Sequence, residues 1–262
     1  LQITLGRSEP AEANLLRAQR LYEALLTAAP GDRGLLREQM VAHIKLGVFL
    51  MGRDTERSVS ALEAALALAR RLADLVPAAA DRPEKDLAWC EHNLGSAWQL
   101  ANRHERAVPH YVRAVALYEE AMRRDPDELS LRVESAQSLV NLGLVHAMTK
   151  DAAKAEVNYR EAEARLDEAL AARPGVAEYV ASRCDLLVNW GNLDVERGRV
   201  DAGIARLGQG LRELLPILNA EPNVLRLKAT AINLHGARAL ALEKAHRYRE
   251  ASEDWGRVIA LD

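Results

Sequence analysis

Four prolines of this chain, Pro30, Pro126, Pro174 and Pro222, fall on a single 48-residue grid, and the one vacant mark, at Ala78, has Pro77 beside it. A second series checks the period: Gly47, Gly95, Gly143 and Gly191 also step by 48, with Ala239 in fifth place. Twelve residues after each comes a third, Val59, Ala107, Ala155, Gly203 and Ala251, small in four of its five members and extended backward by Ala11. No insertion or deletion interrupts the register. A chain of this kind folds as an array of one repeated unit, because a single unit cannot bury its apolar face alone and stacked copies share a continuous core.

Within one unit, two stretches with apolar residues at three- and four-residue spacing flank a short break, which predicts a pair of helices. Residues 81 to 126 illustrate it, with Leu87, Leu94, Trp98 and Ala101 before the break and Val108, Val112, Val115, Leu117 and Tyr118 after it. At the break successive units offer Gly6, Asp54, Asn102, Lys150, Gly198 and His246. Four of these are Gly, Asn or Asp residues, which tolerate a left-handed helix C-terminus. The second helix then runs to the proline, which cannot continue it. Asp127 and Asn223 follow as candidate N-caps of the next unit. The glycine and alanine marks are expected where the two helices of a pair touch, with Tyr111, Tyr159 and Trp255 filling the space between neighbouring pairs. Glu119 with Arg123, Glu120 with Arg124 and Glu161 with Arg165 are i,i+4 pairs expected only to solvate exposed faces.

Composition agrees with helices and narrows the function. Ala, Leu, Glu and Arg dominate, and aromatics make up only 4% of the chain. A net charge of -3 gives no basic footprint for a phosphate backbone, which argues against nucleic acid as a partner. No apolar run is long enough for a membrane span. The two cysteines, Cys90 and Cys184, lie almost two units apart on the grid and are not expected to pair. Unpaired thiols suit a reducing compartment, so the expected location is the cytoplasm.

The repeated residues are similar to those of the tetratricopeptide repeat (TPR), whose pattern has Leu-Gly in the first helix, Ala twelve residues on and an aromatic four further. Here that reads Leu94, Gly95, Ala107, Tyr111 and Ala114, and again Leu142, Gly143, Ala155, Tyr159 and Ala162. Other units are weaker: Leu46 and Gly47 are followed by Glu63, Trp190 and Gly191 by Gly203 and Leu207, and Ala239 by Ala251 and Trp255. The common unit has about 34 residues, so this one adds about two turns to each helix. In that it resembles the long repeats of bacterial regulatory proteins, including those linked to eukaryotic-like serine/threonine kinases, although no kinase motif occurs in the chain.

The resemblance implies an all-α fold, a right-handed α-solenoid of antiparallel helix pairs with about eleven helices in a single array. Residues 1–30 would form a partial repeat, 31–78, 79–126, 127–174 and 175–222 full repeats, and 223–262 a shortened one. Both ends would then be cut in mid-repeat, residue 1 within a first helix and Gly6 to Ala11 in a turn, as in a piece of a longer protein. Apolar helix faces at such ends are expected to self-associate.

The resemblance further implies that first helices line a concave groove that receives a peptide. Asn93, Asn141 and Asn189, two residues before successive glycine marks, would stack there as a ladder, interrupted by Lys45 and Ala237. An amide offers a donor and an acceptor, so such a column can hold an extended peptide backbone; satisfying a neighbouring group within the fold is the competing role. The same logic places Trp89, His92, Ser96 and Gln99 in the second unit, Gln137, Val140, Leu144 and Met148 in the third, and Asp185, Val188, Asn192 and Glu196 in the fourth. Clustered Lys and Arg for a free carboxylate are missing from this lining. The expected function is thus a protein-interaction module, regulatory or scaffolding, with a spacer or oligomerisation scaffold as the alternative.

No catalytic residue, metal or cofactor is expected. Cys90 and His92 are two apart on a helix and point about 200° apart, which rules them out as a dyad. His43, His104, His110, His146, His235 and His246 occur singly, without zinc-ligand spacing. Asp194 and Glu196 likewise diverge and are assigned to solvent or groove.

Overall fold

The computed structural model describes residues 8–75 and 83–261, and among them every regular element is an α-helix. The helices are α1 (Ser8–Ala28), α2 (Arg33–Leu50), α3 (Thr55–Asp74), α4 (Pro83–Leu100), α5 (His104–Arg124), α6 (Leu129–Met148), α7 (Ala152–Ala172), α8 (Ala177–Glu196), α9 (Val200–Ala220), α10 (Leu225–Lys244) and α11 (Tyr248–Leu261). The chain divides into two compact units, Leu1–Asp127 and Glu128–Asp262, and the division falls at the repeat boundary beside Pro126. Each unit is a stack of antiparallel helix pairs: α2 with α3 and α4 with α5 in the first, α6 with α7, α8 with α9 and α10 with α11 in the second. The fold is therefore all-α and TPR-like. No helix among the described residues is long and apolar enough to cross a membrane. Cys90 and Cys184 are buried and unpaired, and burial pushes both thiols well above the usual range.

The prolines end the second helices as expected, with α1, α5, α7 and α9 each stopping two residues before the grid proline. Pro77 and Ala78 lie outside the described residues, as do Gly6 and Arg7. Because α1 already begins at Ser8, Pro10 stands in its first turn rather than before it, where a proline is tolerated.

The break inside each pair is more regular than the sequence suggests. Asn102, Lys150, Gly198 and His246 all take left-handed φ, at 57°, 65°, 80° and 58°. Each is the centre of a Schellman closure. Its own N–H bonds the carbonyl three residues back, and the next N–H reaches five back, as Arg103 does to Trp98 at 2.8 Å and Asp151 to His146 at 2.8 Å. These paired bonds hold Lys150 and His246 in a conformation that side chains other than Gly rarely adopt. Asp54 departs from the expectation. The left-handed residue of its repeat is Gly52 (φ 73°), and Asp54 instead N-caps α3, its carboxylate accepting from Arg57 N at 3.1 Å. Asp127 and Asn223 are not N-caps either. The chain needs one more residue after each proline to turn into the helix, so Glu128 and Val224 take the cap positions, neither with a side-chain bond that caps the helix.

The glycine marks are the contact points within pairs. A Cβ on Gly47 would fall 2.5 Å from Leu62 Cγ, one on Gly95 2.8 Å from the Tyr111 ring and one on Gly191 2.9 Å from Leu207 Cγ, while on Gly143 it would run into Tyr159 Cε1. The small series opposite them is buried, with Ala107 and Ala155 at 0% exposure. Tyr111 thus seats against the glycine of its own pair, not between pairs as expected, because the missing side chain leaves the room there. Tyr159 does both, since its ring also lies 5.9 Å from Trp190 of the following pair. Trp255 bonds within its own pair, its indole N–H donating to Glu243 at 2.8 Å.

Two of the surface charge pairs do more than solvate. Arg124 meets Glu120 at 3.4 Å and also the buried Glu84 of α4 at 3.0 Å. Arg165 pairs with Glu161 and bonds the buried hydroxyl of Ser135 on α6. Both tie a second helix to its first. Among the described residues, first helices also touch one another: α2 packs on α4, and α6 and α10 both pack on α8. The second helices α3 and α5, α7 and α9, or α9 and α11 do not. Each stack is therefore tighter on its even-numbered side, which is its inner layer.

Candidate functional site

In the first unit the inner layer opens into a cleft of about 590 Å³ between α1, α2 and α4. Its walls are apolar: Leu15 from α1, Ile44, Val48 and Phe49 from α2, Met51 at the end of α2, and Trp89 from α4. Three polar side chains join them, Lys45, Arg53 and Asn93. Val48 and Trp89 leave 46% and 37% of their surface in solvent, which is much for large apolar groups in a concave wall. The Arg53 guanidinium lies 4.4 Å over the Phe49 ring and donates to the Phe49 carbonyl at 2.9 Å, which fixes it at the mouth. Among the described residues no carboxylate lines the cleft.

Of the residues expected in a groove, Trp89 and Asn93 are brought together here. Asn93 is 8% exposed, and its Nδ2 donates to its own helix at the Trp89 carbonyl, 2.7 Å away. Asn189 does the same, donating to Asp185 O at 2.8 Å, while Asn141 is half-buried on α6. His92, Ser96 and Gln99 turn toward Tyr111. Its hydroxyl donates to Gln99 Oε1 at 2.7 Å and lies 3.1 Å from Ser96 Oγ, and His92 stands edge-on to its ring at 5.7 Å. Burial pushes the His92 imidazole down to about 4, so it is neutral at neutral pH. In the second unit Gln137 on α6 donates to Ser182 on α8 at 2.9 Å. Asp185 faces Arg226 of α10 at 3.1 Å; burial raises its pKa and the guanidinium opposes that. Leu144 is half-buried and Asn192 exposed.

Lys45, Val48, Phe49, Met51, Arg53 and Leu15 belong to the cleft without having been anticipated. The signal for two of them was on the grid, since Lys45 stands at the Asn93 position and Val48 at the Ser96 position one repeat earlier. Phe49 comes from the last turn of α2, Leu15 from α1, and Met51 and Arg53 from the turn after α2, which no repeat pattern brings together.

The remaining polar groups cluster within helix pairs. His110 meets Glu91 at 2.7 Å, and three repeats on His235 meets Asp254 at 2.7 Å with acid and base exchanged between the two helices. Asp254 also receives Arg238 at 2.7 Å, and though burial raises its pKa, these two partners hold it below the usual range. Asp194, assigned to solvent or groove from the sequence, is 2% exposed and bonded by Arg199 at 2.8 Å and Arg206 at 2.7 Å, so it fastens α8 to α9. Among the described residues no group of three or more His, Cys, Asp or Glu is placed to hold a metal ion.

No family model matches the chain, and no curated protein matches it. Its likeness is to solved structures. BtubC (BKLC) from P. vanneervenii is 18% identical, with 97% of this chain and 90% of that one covered at a TM-score of 0.65. Aspartyl phosphate phosphatase F from Bacillus subtilis is 12% identical, with 95% and 68% covered at 0.56. A thermophilic TPR protein from Thermus thermophilus is 21% identical, with 88% and 93% covered at 0.44. At these identities what the first two share with the chain is the fold alone.

Proposed function

We propose that the chain is a protein-interaction module that holds an extended peptide or partner segment against its inner, even-numbered helices. The observation that carries this reading is the arrangement in the second unit. There α6, α8 and α10 lie side by side, with Asn141 and Asn189 at the same repeat position on the first two. An Asn that spends one N–H on its own helix keeps its carbonyl oxygen and a second N–H, enough to meet one peptide unit of an extended chain. Asn192 is exposed one turn beyond, and Arg226 with Asp185 supplies a charged edge. In the first unit Asn93 and Trp89 occupy the corresponding helix, with Lys45 where the ladder would continue.

Random-sequence peptides displayed on phage and selected on the purified chain provide the ligand for a test by fluorescence anisotropy. Replacing Asn141 and Asn189 together by Ala is expected to weaken a selected peptide by about tenfold, one to two net hydrogen bonds, with an unchanged melting curve. Selection that enriches no peptide, or peptides indifferent to both substitutions, removes the ladder from the function.

A further inference from the structure

The cleft of the first unit differs from the rest of the inner layer in its polar chemistry. A peptide backbone presents donors and acceptors in equal number, and a site built for it answers with both. This cleft answers almost wholly with donors. Lys45 carries three N–H groups and no acceptor, and Arg53 has further N–H groups beyond the one given to Phe49 O. Asn93 is nearly buried and has turned one N–H inward onto Trp89 O. Among the described residues Lys45 and Arg53 bring two positive charges to the lining and no carboxylate answers them, while Leu15, Ile44, Val48, Phe49, Met51 and Trp89 make its walls apolar.

We infer that this cleft binds a small amphipathic carboxylate: a medium-chain or aryl-alkyl monoacid whose apolar body lies between Val48, Phe49 and Trp89 and whose carboxylate meets Lys45, with Arg53 held on Phe49 beside it. The volume of about 590 Å³ suits such a ligand, since small-molecule pockets run from roughly 300 to 1,000 Å³. The apolar surface left open at Val48 and Trp89 supplies the driving force, and the ammonium of Lys45 supplies the selection for charge. Burying a backbone amide against Ile44, Met51 and Leu15 would leave its polar groups unanswered, a cost that a hydrocarbon tail does not carry. Lys45 is thus a specificity residue that replaces an amide of the ladder by a cation. This inference does not rest on the peptide reading, which draws its support from α6, α8 and α10.

Calorimetric titration of the whole chain with decanoate, kept below its micellar range, tests it against decanol and against the blocked peptide acetyl-Leu-Glu-Leu-amide. One decanoate is expected per chain, bound about tenfold more tightly than decanol, the worth of one charge-assisted contact. Lys45→Met, at an exposed position, should erase that preference while Lys45→Arg keeps it, and added salt should weaken decanoate without touching decanol. Trp89→Ala should weaken both ligands alike. Equal affinity for decanoate and decanol, a preference that survives Lys45→Met, or no binding of decanoate overturns the inference. So does tighter binding of the blocked peptide with sensitivity to Trp89, which would assign the cleft to a polypeptide.

Discussion

Tyr111 and Tyr159 stand at the same place in successive repeats, both fully buried, each lying against the glycine of its own helix pair, yet their hydroxyls meet opposite fates. Tyr111 donates to Gln99 and neighbours Ser96. One repeat on, those two positions are Ala147 and Leu144, and the hydroxyl of Tyr159 is buried with no hydrogen-bond partner among the described residues. The ring is kept for its shape: it fills the space above Gly143 and reaches Trp190. The contrast separates two jobs that one residue type performs in a repeat array. Packing against glycine recurs from unit to unit, whereas the polar tip must be satisfied afresh by whatever side chains each unit happens to carry.

The largest effect expected is on the shared job. Gly143→Ala would drive a methyl into a fully buried ring that is pinned on its other side by Trp190, and overpacking of that kind costs about 1–3 kcal/mol. Gly95→Ala meets Tyr111 at 2.8 Å and should cost less, because the contact is looser and alanine favours the helix by up to about 1 kcal/mol. Denaturant midpoints of the two variants check the order, and a Gly95 variant that is the worse of the two would break the account of the ring.

The polar job should split the pair in sign. Tyr111→Phe removes the donor to Gln99 and is expected to destabilise by about 1 kcal/mol. Tyr159→Phe removes a group that gives nothing back for its lost water, and should be neutral or stabilising by up to about 1 kcal/mol. Grafting the missing partners sharpens the point. In a Leu144→Ser, Ala147→Gln background, Tyr159→Phe should turn destabilising, and a double-mutant cycle should return a coupling of about 0.5–1 kcal/mol. Zero coupling would mean that the grid places side chains less faithfully than the glycine contacts indicate.

Much of this was legible in the sequence, and unevenly so. The period and the helix ends were, since proline and glycine act through the backbone wherever they stand. The left-handed turns were half legible: Asn102 and Gly198 announce themselves, but Lys150 and His246 are held there by a pair of backbone bonds that leave no mark on residue type. The lone hydroxyl of Tyr159 could have been read by laying Leu144 and Ala147 over Ser96 and Gln99. So could the pairing of His110 with Glu91 and His235 with Asp254, both 19 residues apart. The cleft could not, because Leu15, Met51 and Arg53 meet there only through the packing of α1 on α2 and the early turn at Gly52. Of the expected groove residues, His92 and Ser96 share a repeat position with Val140 and Leu144, yet Tyr111 draws the first two into its own pair.

The smallest effect expected lies in alkaline solution and concerns Tyr159. Burial pushes its phenol well above the ordinary value of 10.0. The unfolded chain therefore releases this proton first as pH rises, while the folded chain keeps it. The stability attached to the neutral phenol is complete below pH 10 and is lost progressively above it, up to the raised folded value. Phenylalanine has no proton to lose. The stability difference between Tyr159→Phe and the native chain should thus stay flat from pH 7 to 9 and widen by about half a kcal/mol between pH 9.5 and 10.5. Other groups titrate alike in both proteins and cancel in the comparison. A difference that stays flat to pH 10.5 would show that solvent reaches the Tyr159 hydroxyl, and the contrast with Tyr111 would then rest on partners alone.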